Sequence, residues 1–66
     1  MKEQLIEMGF VEQSDRWLEY ELETCTLIVD MTSCNIIVED DLGDSVLIAQ
    51  HATIEQISNI LKSIQI

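Results

Sequence analysis

The side chains that could do chemistry are few in this chain of 66 residues, and no second group stands near them to activate them. The single histidine, His51, lies between two predicted elements, where a polar junction residue is usual. Carboxylates near Cys25 and Cys34 disfavour the thiolate that a nucleophile needs. Gly9 and Gly43 are too few for a phosphate-binding loop, and no Cys/His spacing fits zinc. The sequence therefore predicts no enzyme, no catalytic residue and no cofactor.

One acidic segment, Glu39-Asp40-Asp41-Leu42-Gly43-Asp44, offers hard oxygen ligands of the kind that calcium or magnesium prefers. Its spacing lacks both the alternating Asp pattern and the closing Glu of a calcium loop. We therefore expect a solvated turn between two strands and no metal site. Divalent-ion binding remains a hypothesis, which an Asp41→Asn variant would test.

Negative charge dominates the composition. Thirteen Asp and Glu stand against three Lys and Arg, which gives a formal net charge of −10. Such a field repels nucleic acid and anionic membranes, attracts basic surfaces and destabilises the compact chain by self-repulsion. Because 47% of the residues are hydrophobic, the charge does not indicate disorder. We expect one folded domain over residues 1–66, marginally stable alone, for which a homodimer would add burial.

The spacing of apolar residues predicts an α+β fold, in the order αββββα. Apolar residues recur at helical spacing in residues 2–8 and 54–64, which predicts two helices. Gly9 would end the first helix, and a capping box of Thr53 and Gln56 would begin the second. Between them the pattern predicts a meander, an antiparallel sheet of three to four strands. The predicted strands occupy residues 17–23, 27–31, 36–38 and 45–50.

Three further expectations concern the cysteines, the cellular location and the oligomeric state. Cys25 and Cys34 fall at opposite ends of neighbouring strands, too far apart for a disulfide. The N-terminus has no long apolar run, so we expect neither a secretory signal nor a membrane span, and a cytoplasmic location. Ile28 and Ile37 point away from the other apolar residues of their strands, which suggests an oligomer interface there.

The carboxylates follow a regular pattern on the first predicted strand. Glu19, Glu21 and Glu23 alternate along it, about 6.6 Å apart, a spacing comparable with that of successive phosphates. A groove lined by Lys and Arg could accept such a row, whereas the plainer interpretation is an exposed strand charged against aggregation. Trp17 shares this face or folds under the first helix. The predicted partner-binding residues are Trp17, Glu19, Glu21, Glu23, Asp40, Asp41 and Asp44.

In size, acidity and sheet-plus-helix pattern the chain resembles the small inhibitors that phages encode against bacterial defence systems, anti-CRISPR proteins among them. The features that carry the resemblance are Glu19-Tyr20-Glu21-Leu22-Glu23 and Glu39-Asp40-Asp41-Leu42-Gly43-Asp44. It implies a stoichiometric blocker that occupies the basic groove of a nucleic-acid-handling protein. We therefore expect a non-enzymatic protein that binds a basic protein surface, without binding nucleic acid or membrane. The alternative is a homo-oligomeric accessory protein whose charge serves solubility.

Overall fold

The structure, a computed structural model, describes residues 1–64 as an α+β fold with one sheet and two helices. It confirms the predicted class and adds a fifth strand to the three or four expected. The elements are α1 (Lys2–Glu7), β1 (Val11–Glu12), β2 (Trp17–Glu21), β3 (Cys25–Asp30), β4 (Asn35–Asp40), β5 (Ser45–Ala49) and α2 (Ile54–Ile64).

The five strands form an antiparallel meander in the order β1-β2-β3-β4-β5. Every strand pairs with its neighbour in sequence, so short hairpins make all the connections. β1 and β5 are consequently the two edges of the sheet. The sequence pattern missed β1 because two residues are too few to show alternation.

Side chains of the sheet divide between a core face and an outer face. On the core face, Leu18 of β2 lies opposite Val29 of β3, which lies opposite Ile36 of β4. Both helices contribute to the same core, through Leu5 of α1 and Ile57 of α2. The buried hydrophobic residues are Leu5, Phe10, Leu18, Leu27, Val29, Ile36, Ala52, Ile57 and Leu61. The two helices therefore pack on the core face of the sheet, and the outer face is the side that they do not cover.

The end of α1 depends on a close contact at Gly9. Its backbone has φ +109°, a conformation that L side chains rarely adopt, as the sequence predicted for a glycine after this helix. A Cβ at Gly9 would stand 2.9 Å from a ring carbon of Tyr20. The turn brings Phe10 into an edge-to-face contact with Tyr20, with ring centroids 5.4 Å apart. Gly9 thus lets the chain pass over Tyr20 and enter the core.

The predicted capping box at the start of α2 is present. Gln56 donates its backbone N–H to Thr53 Oγ1 (3.2 Å), and Thr53 donates its own to Gln56 Oε1 (2.8 Å). Two backbone donors at the helix start are therefore satisfied reciprocally. Ile57 and Leu61 are buried, while Ile54, Ile60 and Ile64 pack partly buried against the core, as the helical spacing predicted.

Cys25 and Cys34 are free thiols at opposite ends of the β3–β4 pair. Cys34 has φ +58°, and its carbonyl accepts a hydrogen bond from the N–H of Ala52 (2.9 Å), which connects the β3–β4 turn to the start of α2.

Within residues 1–64 neither helix has the length and apolar character needed to span a bilayer.

Candidate partner-binding surface

The outer face of the sheet carries an apolar row with carboxylates around it. The row runs across the strands, from Ile28 of β3 through Ile37 of β4 to Leu47 of β5, each directly opposite the next. Glu19 of β2 lies opposite Ile28 on one side and Val11 of β1 on the other, so a carboxylate interrupts the apolar residues there. Ile28 and Ile37, the residues predicted for an oligomer interface, are thus a cross-strand pair and are half-buried.

A second row of the outer face brings together carboxylates from separate strands. Glu21 of β2 lies opposite Thr26 of β3, which lies opposite Glu39 of β4. Glu21 and Glu39 therefore flank one threonine, about 9.6 Å apart across two strand spacings. Together with Glu19, about 6.6 Å along β2, they form a triangle of carboxylates.

Trp17 lies on this outer face, which decides between the two interpretations of the sequence. Its indole Nε1–H donates a hydrogen bond to Glu19 Oε2 (2.9 Å), two residues along the same side of β2. The residue is 39% exposed, so it does not fold under α1. The bond holds the ring beside a carboxylate and leaves part of the indole available for contact.

The turns at one end of the sheet gather further carboxylates. The β2–β3 turn and the β4–β5 turn lie at the same end, because β2 and β4 run in the same direction in the meander. We call this end, with the strand residues that lead into it, the acidic end. It comprises Glu21, Glu23, Glu39, Asp40, Asp41 and Asp44.

Asp40, one of the predicted binding residues, stabilises the β4–β5 turn. Its Oδ1 accepts hydrogen bonds from the backbone N–H groups of Leu42 (2.9 Å) and Asp44 (3.0 Å). Gly43 takes φ +86° in the same turn. Asp40 therefore shapes the turn that presents Asp41 and Asp44, since its carboxylate oxygen is already engaged.

Glu23 is not on the strand face where the alternation put it. β2 ends at Glu21, and the backbone N–H of Leu22 bonds to the Cys25 carbonyl (2.8 Å), which closes the hairpin around Glu23 and Thr24. The prediction that three glutamates share one strand face was therefore wrong for Glu23. Glu39 takes the position beside Glu21 instead, although the sequence placed it in a loop. The alternation of Ile37 and Glu39 in β4 was the signal that could have found it.

Among residues 1–64 a single ion pair forms, between Lys2 of α1 and Glu12 of β1. The hydrogen bond to Glu12, and then the negative charge of Glu12, raise the pKa of Lys2. This pair lies at the β1 edge. The carboxylates of the outer face and of the acidic end therefore have no cationic side chain of residues 1–64 within ion-pair distance.

The part of the chain that the structure describes does not bring three or more metal-ligating side chains together, and we find no pocket in it. In the acidic segment, one carboxylate oxygen of Asp40 accepts hydrogen bonds from the backbone N–H groups of Leu42 and Asp44. Asp41 and Asp44 are exposed in this turn.

No family model, curated protein or solved structure matches this chain.

Proposed function

We propose that this protein is a non-enzymatic binding module whose outer sheet face and acidic end occupy a basic nucleic-acid-binding groove of a partner protein. The observation that carries the proposal is the triangle of Glu19, Glu21 and Glu39 on an open face that adjoins the acidic end. No Lys or Arg of residues 1–64 neutralises these groups by an ion pair. A surface with many unpaired anions attracts a cationic one over a long range.

The geometry of the carboxylates suits a groove built for a polynucleotide. Such grooves follow the phosphate backbone with Lys and Arg side chains. The triangle offers anions about 6.6 Å apart along one strand and about 9.6 Å apart across the sheet. Because the strands fix the backbone positions of the three glutamates, the partner would have to order only their side chains on binding.

Trp17 supplies the anchor of the proposed interface. A half-exposed indole beside a carboxylate can stack on an arginine guanidinium that the carboxylate also attracts. Tryptophan and arginine are the residue types that dominate binding energy at protein interfaces. In keeping with the resemblance to phage-encoded inhibitors, the partner we propose is a nucleic-acid-handling protein of bacterial defence, met in the cytoplasm of the infected cell.

The test compares two variants that remove the same number of charges. The outer-face variant combines Glu19→Gln, Glu21→Gln and Glu39→Gln. The helix variant combines Glu3→Gln, Glu7→Gln and Glu55→Gln, all exposed residues of α1 and α2. Circular dichroism first confirms that both variants fold. Each protein is then immobilised and exposed to nuclease-treated bacterial lysate at low salt, about 50 mM, and eluted with rising salt.

We expect the parent protein and the helix variant to capture a nucleic-acid-binding protein that the outer-face variant loses. Added polynucleotide should compete with this protein for the purified partner at one-to-one stoichiometry. Equal capture by both variants would refute the proposal, because net charge alone would then explain binding. Capture that polynucleotide does not affect would also refute it.

A further inference from the structure

The two edges of the sheet differ in their protection against pairing with another strand. β1 is two residues long, and its Glu12 pairs with Lys2. Short, charged edges resist pairing with other chains. β5 has five residues, Ser45–Ala49, and among the strands of residues 1–64 it alone has no charged side chain.

β5 also exposes three consecutive large aliphatic side chains. Val46, Leu47 and Ile48 are 61%, 47% and 43% exposed. Val46 lies opposite Val38 on the core face, whereas Leu47 lies opposite Ile37 on the outer face. Neither side of the sheet edge is therefore fully covered by residues 1–64.

Within the described part of the chain, the β4–β5 ladder leaves some backbone hydrogen-bonding groups of β5 without a strand partner at this edge. Asp40 donates its N–H to the Asp44 carbonyl (2.9 Å), which sets the phase of the β4–β5 ladder. Hydrogen-bonded and non-hydrogen-bonded pairs alternate in antiparallel ladders. The N–H and C=O groups of Ser45 and Leu47 therefore point away from β4, toward the free edge.

We infer that β5 pairs with β5 of a second copy of this chain, antiparallel and with the two-fold axis at Val46. Ser45 then faces Leu47 of the second copy, and the two residues exchange both of their hydrogen bonds on each side of the axis. The two sheets become one continuous sheet with the two Val46 side chains adjacent. This inference rests on the backbone edge of β5, whereas the carboxylates that carry the proposed function lie on β2 and β4, so the two stand independently.

The distribution of charge favours a second copy of this chain as the partner of β5 and favours antiparallel over parallel pairing. A partner chosen for its basic residues would not dock on the one strand that carries no acid, whereas a second copy presents the same uncharged surface. In the antiparallel arrangement the two Asp44 residues are about 14 Å apart along the strands, beyond the Debye length of about 8 Å at physiological salt. Parallel pairing would put the two acidic ends side by side.

The assembly closes at two copies. Once the two β5 strands have paired, the remaining edges are the short, charged β1 strands. The β-bulge between Ile36 and Ile37, where Ile48 is the extra residue of β5, confines regular pairing to the first part of the strand. So short an interface buries less than the roughly 1,200 Å² of standard complexes, which predicts a weak, concentration-dependent dimer.

The test places a charge on the axis and compares it with the same charge elsewhere. Val46→Lys puts two like charges in contact across the axis. Leu42→Lys makes the same change of charge at a residue that is 87% exposed in the β4–β5 turn, off the edge. Mixing Val46→Lys with Val46→Glu pairs opposite charges across the axis. Circular dichroism checks that each variant folds.

Sedimentation velocity is measured from about 10 μM to about 1 mM, at about 0.05 M and about 0.5 M NaCl. We expect the mass of the parent protein and of Leu42→Lys to rise from 7.6 kDa toward twice that value, more strongly in high salt. Val46→Lys should remain at 7.6 kDa, and the mixture should regain the dimer. Added salt should strengthen this dimer, whereas it would weaken the attraction to a basic partner. The direction of the salt effect therefore distinguishes self-association from binding to a basic protein.

A parent protein that stays monomeric at the highest concentration and salt would overturn the inference. Val46→Lys dimerising as well as the parent would overturn it too. If the mixture of Val46→Lys and Val46→Glu fails to associate, the pairing about Val46 is wrong.

Discussion

Replacing Gly9 with alanine should destabilise this protein more than the same change at Gly43. Both glycines have positive φ, +109° and +86°. A Cβ in the left-handed region costs about 1–2 kcal/mol, partly offset by the about 0.4–1 kcal/mol gained by restricting the unfolded chain. At Gly43 nothing lies within 4 Å of the added atom, so Gly43→Ala should cost about 1 kcal/mol.

At Gly9 the added Cβ would stand 2.9 Å from Tyr20 Cε2, a distance that requires something to move. The ring has little freedom, because it also packs against Phe10. Forcing an extra carbon into a packed site costs about 1–3 kcal/mol. Gly9→Ala should therefore cost about 2–4 kcal/mol, a large part of the roughly 3–10 kcal/mol expected for a chain of this length.

Urea denaturation followed by circular dichroism measures both variants, and a thermal melt should show Gly9→Ala about 10 °C or more below the parent. A double-mutant cycle with Tyr20→Leu then separates the contact from backbone strain. In the Tyr20→Leu background the cost of Gly9→Ala should fall toward that of Gly43→Ala. If the coupling between Gly9→Ala and Tyr20→Leu is below about 0.5 kcal/mol, the contact with the ring does not explain the glycine.

Three further substitutions, two of them with a control substitution, and one change of solvent test the remaining structural arguments. Leu27→Ala, at a fully buried residue, should cost about 3–5 kcal/mol in urea denaturation, and a cost below about 1 kcal/mol would contradict its place in the core. Thr53→Ala should cost about 1 kcal/mol through loss of the capping box, whereas Thr32→Ala in an exposed turn should be nearly neutral, and equal costs would refute the cap. Asp40→Ala should lower the melting temperature although it removes a negative charge, because two backbone N–H groups lose their acceptor, while Asp41→Ala should not lower it. Raising NaCl from about 0.05 M to about 0.5 M should raise the melting temperature by screening the −10 charge, and an unchanged value would show that self-repulsion contributes little.

Local patterns in the chain were sufficient for much of the fold. The alternation of Leu18, Tyr20 and Leu22 predicted the core-facing side of β2 and of the residue that follows it, and all three side chains pack in or against the core. Thr53 and Gln56 were recognised as a capping box from a spacing of three residues. These features depend on residues that are neighbours along the chain, so periodicity and composition reveal them.

The candidate surface depended on contacts between distant parts of the chain. Glu39 joins Glu21 across Thr26 because of the pairing register, and Glu23 leaves the row because the hairpin closes there. Which strand lies at an edge is also a property of the whole sheet: β5 has the continuous apolar run of an inner strand, yet no other strand of residues 1–64 pairs with its outer edge. Register and edges arise from pairing between strands, which no single stretch of residues encodes.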